Sequence, residues 1–308
     1  MELRHLRYFL AVAREQHFRR ASEMLHVSQP AVSEQIKQLE EELGTLLFDR
    51  SGRGVKLTPA GQLFKRYARQ TLNRLEEARV AIDELEGLKR GTLTVGVVQT
   101  VNAYLIPSVI ARFTSDFPDI KVYVEELTMD EIEEKLMEGE LQLALGFHPT
   151  EFHRIVSLPL FEEELVLITP IGHPLATFDS IDLDKITGHP LILLSEGFCT
   201  RRAIDQAFRQ ANCSPRVAVE MNSITGILSA IQAAGTATIL PSFALRESGF
   251  ELRGIRLKNP SISRTVAVLR GKSQYRCSAS LAFEETINTE WKRLQSEVEV
   301  GDHLLTPG

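Results

Sequence analysis

The stretch from Phe18 to Gly44 leaves room for only one tight turn between two helices. Leu6, Phe9, Leu10 and Ala13 lay an apolar stripe along a first helix, and Phe18, Ala21 and Leu25 do the same for a short second one. His26 and Val27 interrupt the pattern before Ser28, a favoured N-cap, and Pro30 falls in the first turn of the third helix, where a missing N–H costs nothing. Val32, Ile36, Leu39 and Leu43 carry that helix, which Gly44 ends. Two helices joined so closely make a helix-turn-helix, whose second helix offers its N-terminal side chains to the major groove of DNA.

With Val32, Ile36 and Leu39 turned inward, Ser28, Gln29, Pro30, Ser33 and Lys37 face outward. Gln pairs with adenine edges, Ser with donors or acceptors, and a proline can touch a thymine methyl. A Ser-Gln pair at a helix start also serves simply as a surface cap. Its neighbours argue for DNA: Arg19 and Arg20 begin the second helix, where they suit phosphates that position without specifying. The run "LLFDRSGRGVKLTP" reads as a β-hairpin wing whose Arg50 and Arg53 can enter a narrow minor groove.

Charge supports this division. Residues 1–70 hold 12 Lys and Arg against 8 Asp and Glu, while the remaining 238 hold 23 against 33, so only the N-terminal piece suits a polyanion. A length of 308 residues exceeds one ordinary core and implies two or three units. No apolar run approaches the roughly 18 residues of a membrane span, and the charged N-terminus does not read as a secretory signal, so a cytoplasmic protein without membrane contact is expected. Three cysteines without a CxxC spacing suggest neither a disulfide framework nor zinc. No cofactor, metal or enzyme motif is found, and the scattered His148, His153, His173 and His189 read as loop residues.

Thr58-Pro59 opens a further helix, in which Phe64, Ala68, Thr71, Leu75, Ala78, Ile82 and Leu85 recur at a mean of about 3.5 residues, the period of a coiled-coil seam. Residues 59–90 are therefore expected to pair two chains, with packing on their own domain as the alternative. Paired heads imply an interrupted inverted repeat of double-stranded DNA.

From residue 91 to about 300, strands such as "LTVGVV", "IKVYVEEL" and "LQLALGF" alternate with helices, and the pattern restarts at "ELVLITP". This implies βαβ units, a mostly parallel sheet and two lobes, of about 91–160 with 266–300 and about 161–265. Ligands of open α/β sheets lie at the carboxyl ends of strands. That rule selects Thr100, Val101, Asn102, Thr128, Phe147, His148, Ser195, Phe198, Thr200 and Asn222, with helix N-termini that favour a small anion. A solute-binding or transport component shares the tandem lobes but leaves the first 90 residues without a purpose.

The pattern "FLAVAREQHFRRASEMLHVSQPAVSEQIKQLEEELGTLLFDRSGRGVKLTPAGQLF" resembles the DNA-binding domain of the LysR-type bacterial transcriptional regulators, and the likeness in layout runs over nearly the whole chain. The resemblance implies a winged helix-turn-helix over residues 1–58, a linker helix over 59–90 and a two-lobed effector domain similar to periplasmic binding proteins. It further implies a homotetramer, contact with RNA polymerase, and reading residues at Gln29, Pro30 and Ser33 with Arg53 in the wing. Many members carry a basic residue where this chain has Glu34, which points that side chain to a cytosine or to solvent. "LLSEGFCTRRAIDQ", "VEMNSITGILSAIQ" and "RTVAVLR" look most like the subgroup containing the cyanate-operon regulator, and Thr100, Thr128, Ser195 and Thr200 match polar positions of the family pocket. A redox reading competes, since "EGFCTRRA" also resembles the reactive-cysteine segment of peroxide-sensing members, with Cys199 expected to be thiolate-like beside Arg201 and Arg202. Those sensors place a second cysteine nine positions on, where this chain has Phe208.

Overall fold

The computed structural model describes residues 1–52, 54–85, 91–245 and 249–301. Two compact units emerge, one built on Met1–Leu88 and the other on Lys89–Met137 with Leu141–Gly308. The first holds α1 (Leu3–Glu15), α2 (Phe18–Met24) and α3 (Gln29–Leu43), an antiparallel hairpin of β1 (Phe48–Gly52) and β2 (Gly54–Leu57), and the long α4 (Pro59–Leu85). Of the expected stripes, Leu6, Phe9, Ala21, Val32, Ile36 and Leu39 are buried in one core with Val12, Leu47 and Phe48, Leu10, Ala13, Phe18 and Leu25 pack partly buried against it, and Leu43 is exposed. The Phe9 ring meets Phe48 at 5.2 Å and Phe64 at 4.9 Å between centroids. Gly44 ends α3 at φ 67°, a left-handed conformation that a side chain would strain.

A buried carboxylate fastens the hairpin. Glu40 on α3 accepts the backbone N–H of Leu47 at 2.8 Å and of Phe48 at 3.1 Å, and its second oxygen accepts from Arg50 at 3.1 Å. The seam expected on α4 is divided. Phe64, Ala68 and Leu72 pack into the core of their own unit, as the alternative reading had it. Leu63, Tyr67, Thr71, Leu75, Ala78 and Ile82 instead form an exposed stripe that keeps heptad spacing only from Thr71 onward. Arg53, the Leu85 side chain and the boundary around Gly87 lie outside the described residues.

In the second unit β3 (Gly91–Val97), α5 (Gln99–Tyr104), α6 (Ile106–Asp116), β4 (Ile120–Glu126), α7 (Met129–Glu138) and β5 (Leu143–His148) lead into β6 (Ile155–Pro170). Then come β7 (Ser180–Asp182), α8 (Leu183–Ile186), β8 (Pro190–Leu194), α9 (Cys199–Gln210), β9 (Arg216–Met221), α10 (Ile224–Ala234), β10 (Thr238–Pro241), β11 (Leu252–Lys258), β12 (Ile262–Gly271) and α11 (Ser278–Gly301). The last helix runs to Gly301, the expected end of the effector domain at about residue 300.

The sheet is mixed rather than mostly parallel. β3 pairs in parallel with β4 and β5, and β8 with β9, as βαβ units require. β6 runs antiparallel to β10, β11 and β12. It is 16 residues long and starts well before the apolar run that marked it in the sequence. Ile155 and Phe161 of β6 and Val266 to Leu269 of β12 belong to one core, shared with β3, β5, α6 and α11. Farther along β6, Leu165 and Leu167 face one side and Val166 and Ile168 the other, the period-two alternation of a strand covered on both faces. Two long strands thus pass from one lobe to the other.

Candidate DNA-reading head and effector cleft

The head of α3 presents the expected polar cluster. Ser28, Gln29, Pro30 and Lys37 are exposed and Ser33 is half-buried, while Val32, Ile36 and Leu39 beneath them have no exposure. Ser28 also caps its helix, its hydroxyl accepting the Ala31 N–H at 3.4 Å, so the capping role and an outward position coexist. Glu34 is exposed and accepts from Gln38 at 3.0 Å. Arg19 pairs with Glu23 at 3.0 Å and Arg20 donates to the Glu15 carbonyl at 2.6 Å, both from exposed positions. Lys37 lies 3.5 Å from Glu41. Arg50 stacks on the Phe18 ring at 4.8 Å while bound to Glu40, which gives it a structural task within the wing.

Where β6 and β12 pass between the lobes, Glu163 and Arg264 are direct cross-strand partners. Glu163 is 1% exposed and the Arg264 side chain 10%. Arg264 Nε donates to Glu163 Oε1 at 2.5 Å, one Nη to Thr200 Oγ1 at 2.8 Å and the other to Thr100 Oγ1 at 2.8 Å. Its plane lies over the Phe147 ring, 3.8 Å from the centroid. Tyr104 donates to the other Glu163 oxygen at 2.5 Å. Burial, together with that carboxylate, pushes the Tyr104 hydroxyl well above its ordinary pKa. One guanidinium therefore joins α5 of the first lobe to α9 of the second, with a buried counter-ion beneath it.

Neither Arg264 nor Glu163 was among the residues singled out from the sequence. A signal was present: Glu162, Glu163 and Glu164 interrupt an apolar strand, and a charge there is tolerated only when paired.

The other expected cleft residues fare variously. Thr100 and Thr200, each 2% exposed, are brought to the same group. The Val101 side chain has no exposure and belongs to the core, because its helical register turns it inward. Thr128 makes a reciprocal capping box with Glu131, its N–H and hydroxyl both donating to Glu131 Oε2 at 2.8 Å, and these bonds hold the Glu131 carboxyl below its usual pKa. Asn102 donates to Glu126 at 2.7 Å. The Ser195 hydroxyl donates to the Asn222 side chain, and Gln99 reaches the Asn222 carbonyl from the other lobe. Phe198 packs against the core around α10. His148 stands exposed at the end of β5 with Nδ1 3.1 Å from Ser157 Oγ.

Cys199 departs from the expectation of a thiolate. Burial pushes its thiol up, and Arg264 and Arg202 offset this only in part. Arg201 is turned away into Asp205, Glu220 and the Leu194 carbonyl. Phe208, nine positions on, is 1% exposed within a core. Iodoacetamide should therefore modify Cys199 at least about tenfold more slowly than a free thiol near pH 8, because only the thiolate attacks. Mass spectrometry of the digested, time-sampled protein checks this, and a rate above that of free cysteine would contradict it. Among the described residues no group of His, Cys, Asp or Glu is placed to hold a metal, and no helix is long and apolar enough to cross a membrane.

A winged helix-turn-helix head and a two-lobed domain closing on a polar junction together define a ligand-responsive DNA-binding regulator. The chain belongs to the LysR family: residues 3–62 match the bacterial regulatory helix-turn-helix domain of that family and residues 86–292 match the LysR substrate binding domain. It is 34% identical over 290 residues to a probable RuBisCO transcriptional regulator of Synechocystis, covering 91% of this chain and 84% of the relative. It is 32% identical to the transcriptional dual regulator GltC of Bacillus subtilis, covering 96% and 99%. Full-length OxyR C199D of Pseudomonas aeruginosa superimposes with a TM-score of 0.72 at 29% identity, covering 94% of each chain. Full-length CbnR in complex with its target DNA shares the fold with a TM-score of 0.68, covering 94% of this chain and 100% of that one, at 23% identity.

Proposed function

We propose that this LysR-type regulator reads an interrupted inverted repeat through Gln29, Pro30 and Ser33, and that a small anionic effector between its lobes sets its output through RNA polymerase. The observation that carries the reading is the head of α3, a polar, exposed cluster on a helix whose opposite face is fully buried. Arg19, Arg20 and Lys37 surround that cluster with positive charge for phosphates. In the second unit, a ligand that parts Thr100 from Thr200 changes the angle between the lobes, and an effector acts only through such a difference between two states. A gel shift of the full chain on the DNA upstream of its own gene tests the DNA-binding half. Affinity should fall steeply and log-linearly with salt as phosphate contacts release counter-ions. No shift, or one indifferent to salt, would contradict it.

The exposed stripe Leu63, Tyr67, Thr71, Leu75, Ala78 and Ile82 supports pairing of two chains along α4, and with it a dimer or a tetramer built from dimers. Apolar residues of this size in a row on an exposed helix face mark a contact surface. Leu75→Glu with Ile82→Glu should shift sedimentation toward the monomer and weaken binding to the two-half-site DNA by about a hundredfold, since each head then binds without its tethered partner. Unchanged sedimentation would place the self-contact elsewhere.

The relatives' names fix neither the target nor the sign of control, since one is named for RuBisCO and another as a dual regulator. The OxyR likeness raises the redox alternative, but the partly buried thiol of Cys199, pushed up by desolvation, and the phenylalanine at position 208 favour a bound effector.

A further inference from the structure

We propose that Arg264 determines which ligands the cleft accepts by fixing the direction of the Thr100 and Thr200 hydroxyls. The inference rests on the effector reading of this cleft and adds the chemical class that it selects. A hydroxyl can both donate and accept. In this protein each of the two accepts an N–H from the same guanidinium at 2.8 Å, and neither donates to another described group. Each proton must then point away from Arg264. One hydroxyl comes from α5 of the first lobe and the other from α9 of the second, so a molecule entering as the lobes part meets two O–H donors, each on an oxygen that already has one of its two lone pairs taken by the guanidinium. The two donors are best met together by a pair of proton-free oxygens, those of a carboxylate or phosphoryl group.

Charge does not make this selection. Glu163, opposite Arg264 on the neighbouring strand and itself held by Tyr104, cancels the guanidinium at the bottom of the site. Arg202, at the start of α9, is half exposed and faces Asp130 at 3.8 Å, and Arg201 is bound by Asp205 and Glu220. The rim carries Glu126, bound by Asn102, and Glu131, bound by Thr128. The ligand class therefore arises from hydrogen-bond direction at a nearly neutral site. Replacing the arginine and its counter-ion together leaves net charge unchanged while freeing the hydroxyls to rotate, which separates the two explanations.

Acetate and acetamide have nearly the same shape and differ in what they offer to a donor. The full chain is titrated with each, and with inorganic phosphate and glycerol as a second pair, using thermal shift and the fluorescence of Trp291, the single tryptophan, which stacks on Phe161. The parent should prefer acetate over acetamide, and phosphate over glycerol, by about tenfold or more, because acetate and phosphate present two proton-free oxygens to the two O–H donors at once, whereas acetamide presents one and glycerol none. Arg264→Met with Glu163→Gln should reduce that preference to within about threefold while the circular dichroism of the parent is retained. Thr100→Val with Thr200→Val, close to the parent in volume, should abolish acetate binding. The proposal is overturned if the parent binds none of these probes, if it binds acid and amide alike, or if the charge-neutral double variant keeps the preference. A gel shift on the same preparations keeps the outcomes apart: acid selectivity without DNA binding sinks the regulatory reading and leaves this proposal standing, and the reverse sinks only this one.

Discussion

Arg264→Met alone should lower the unfolding free energy of the second unit by about 3–5 kcal/mol, the usual consequence of stranding one member of a buried ion pair. Glu163, 1% exposed in the parent, would keep Tyr104 as its one hydrogen-bond partner among the described residues, and the Thr100 and Thr200 hydroxyls would lose the donor that links the lobes. Adding Glu163→Gln removes the stranded charge and should restore most of the loss, because methionine fills the space over Phe147 and glutamine still accepts from Tyr104. Recovery in the double variant separates the cost of an unpaired charge from the net worth of the pair, which is often near zero. Urea unfolding followed by Trp291 fluorescence measures all three proteins. Equal losses for the single and double variants would show that packing of the arginine stem, and not charge, holds the junction.

The first unit was legible because its helices are amphipathic and its breaks carry their own chemistry. A cap at Ser28, a proline at position 30 and a glycine at position 44 each fix a boundary locally, and spacing alone accounts for the burial of Val32, Ile36 and Leu39. α4 was half legible. Its repeat is genuine, but a single helix can use one stripe at its start against its own domain and a neighbouring one later, and periodicity does not say which partner a stripe meets.

The second unit shows where sequence reasoning loses its hold. The parallel βαβ pairs announce themselves through alternating strands and helices, whereas β6 hides its length, because three acidic residues at its centre resemble a loop. Only long-range pairing with β12 brings Glu163 opposite Arg264, 101 residues apart, and no local rule reports a contact at that distance. The threonines were found by their position at strand ends. The arginine that organises them lay within a strand, where position marks it as structural.

The most direct test of the account is the operator footprint of Gln29→Ala, Pro30→Ala and Ser33→Ala combined, set beside that of the parent at equal salt. Gln29 and Pro30 are exposed and Ser33 half-buried at the head of α3, and the buried Val32, Ile36 and Leu39 are left untouched, so the variant should fold as the parent does. Base contacts specify while phosphate contacts position, and each lost base contact is worth about 1–3 kcal/mol. Discrimination between operator and random DNA should therefore fall at least about a hundredfold, with the non-specific affinity and its salt slope close to those of the parent. A triple variant that protects the same bases as tightly and as selectively as the parent would contradict the assignment of α3 as the reading helix, and with it the account of this protein as a sequence reader governed by its cleft.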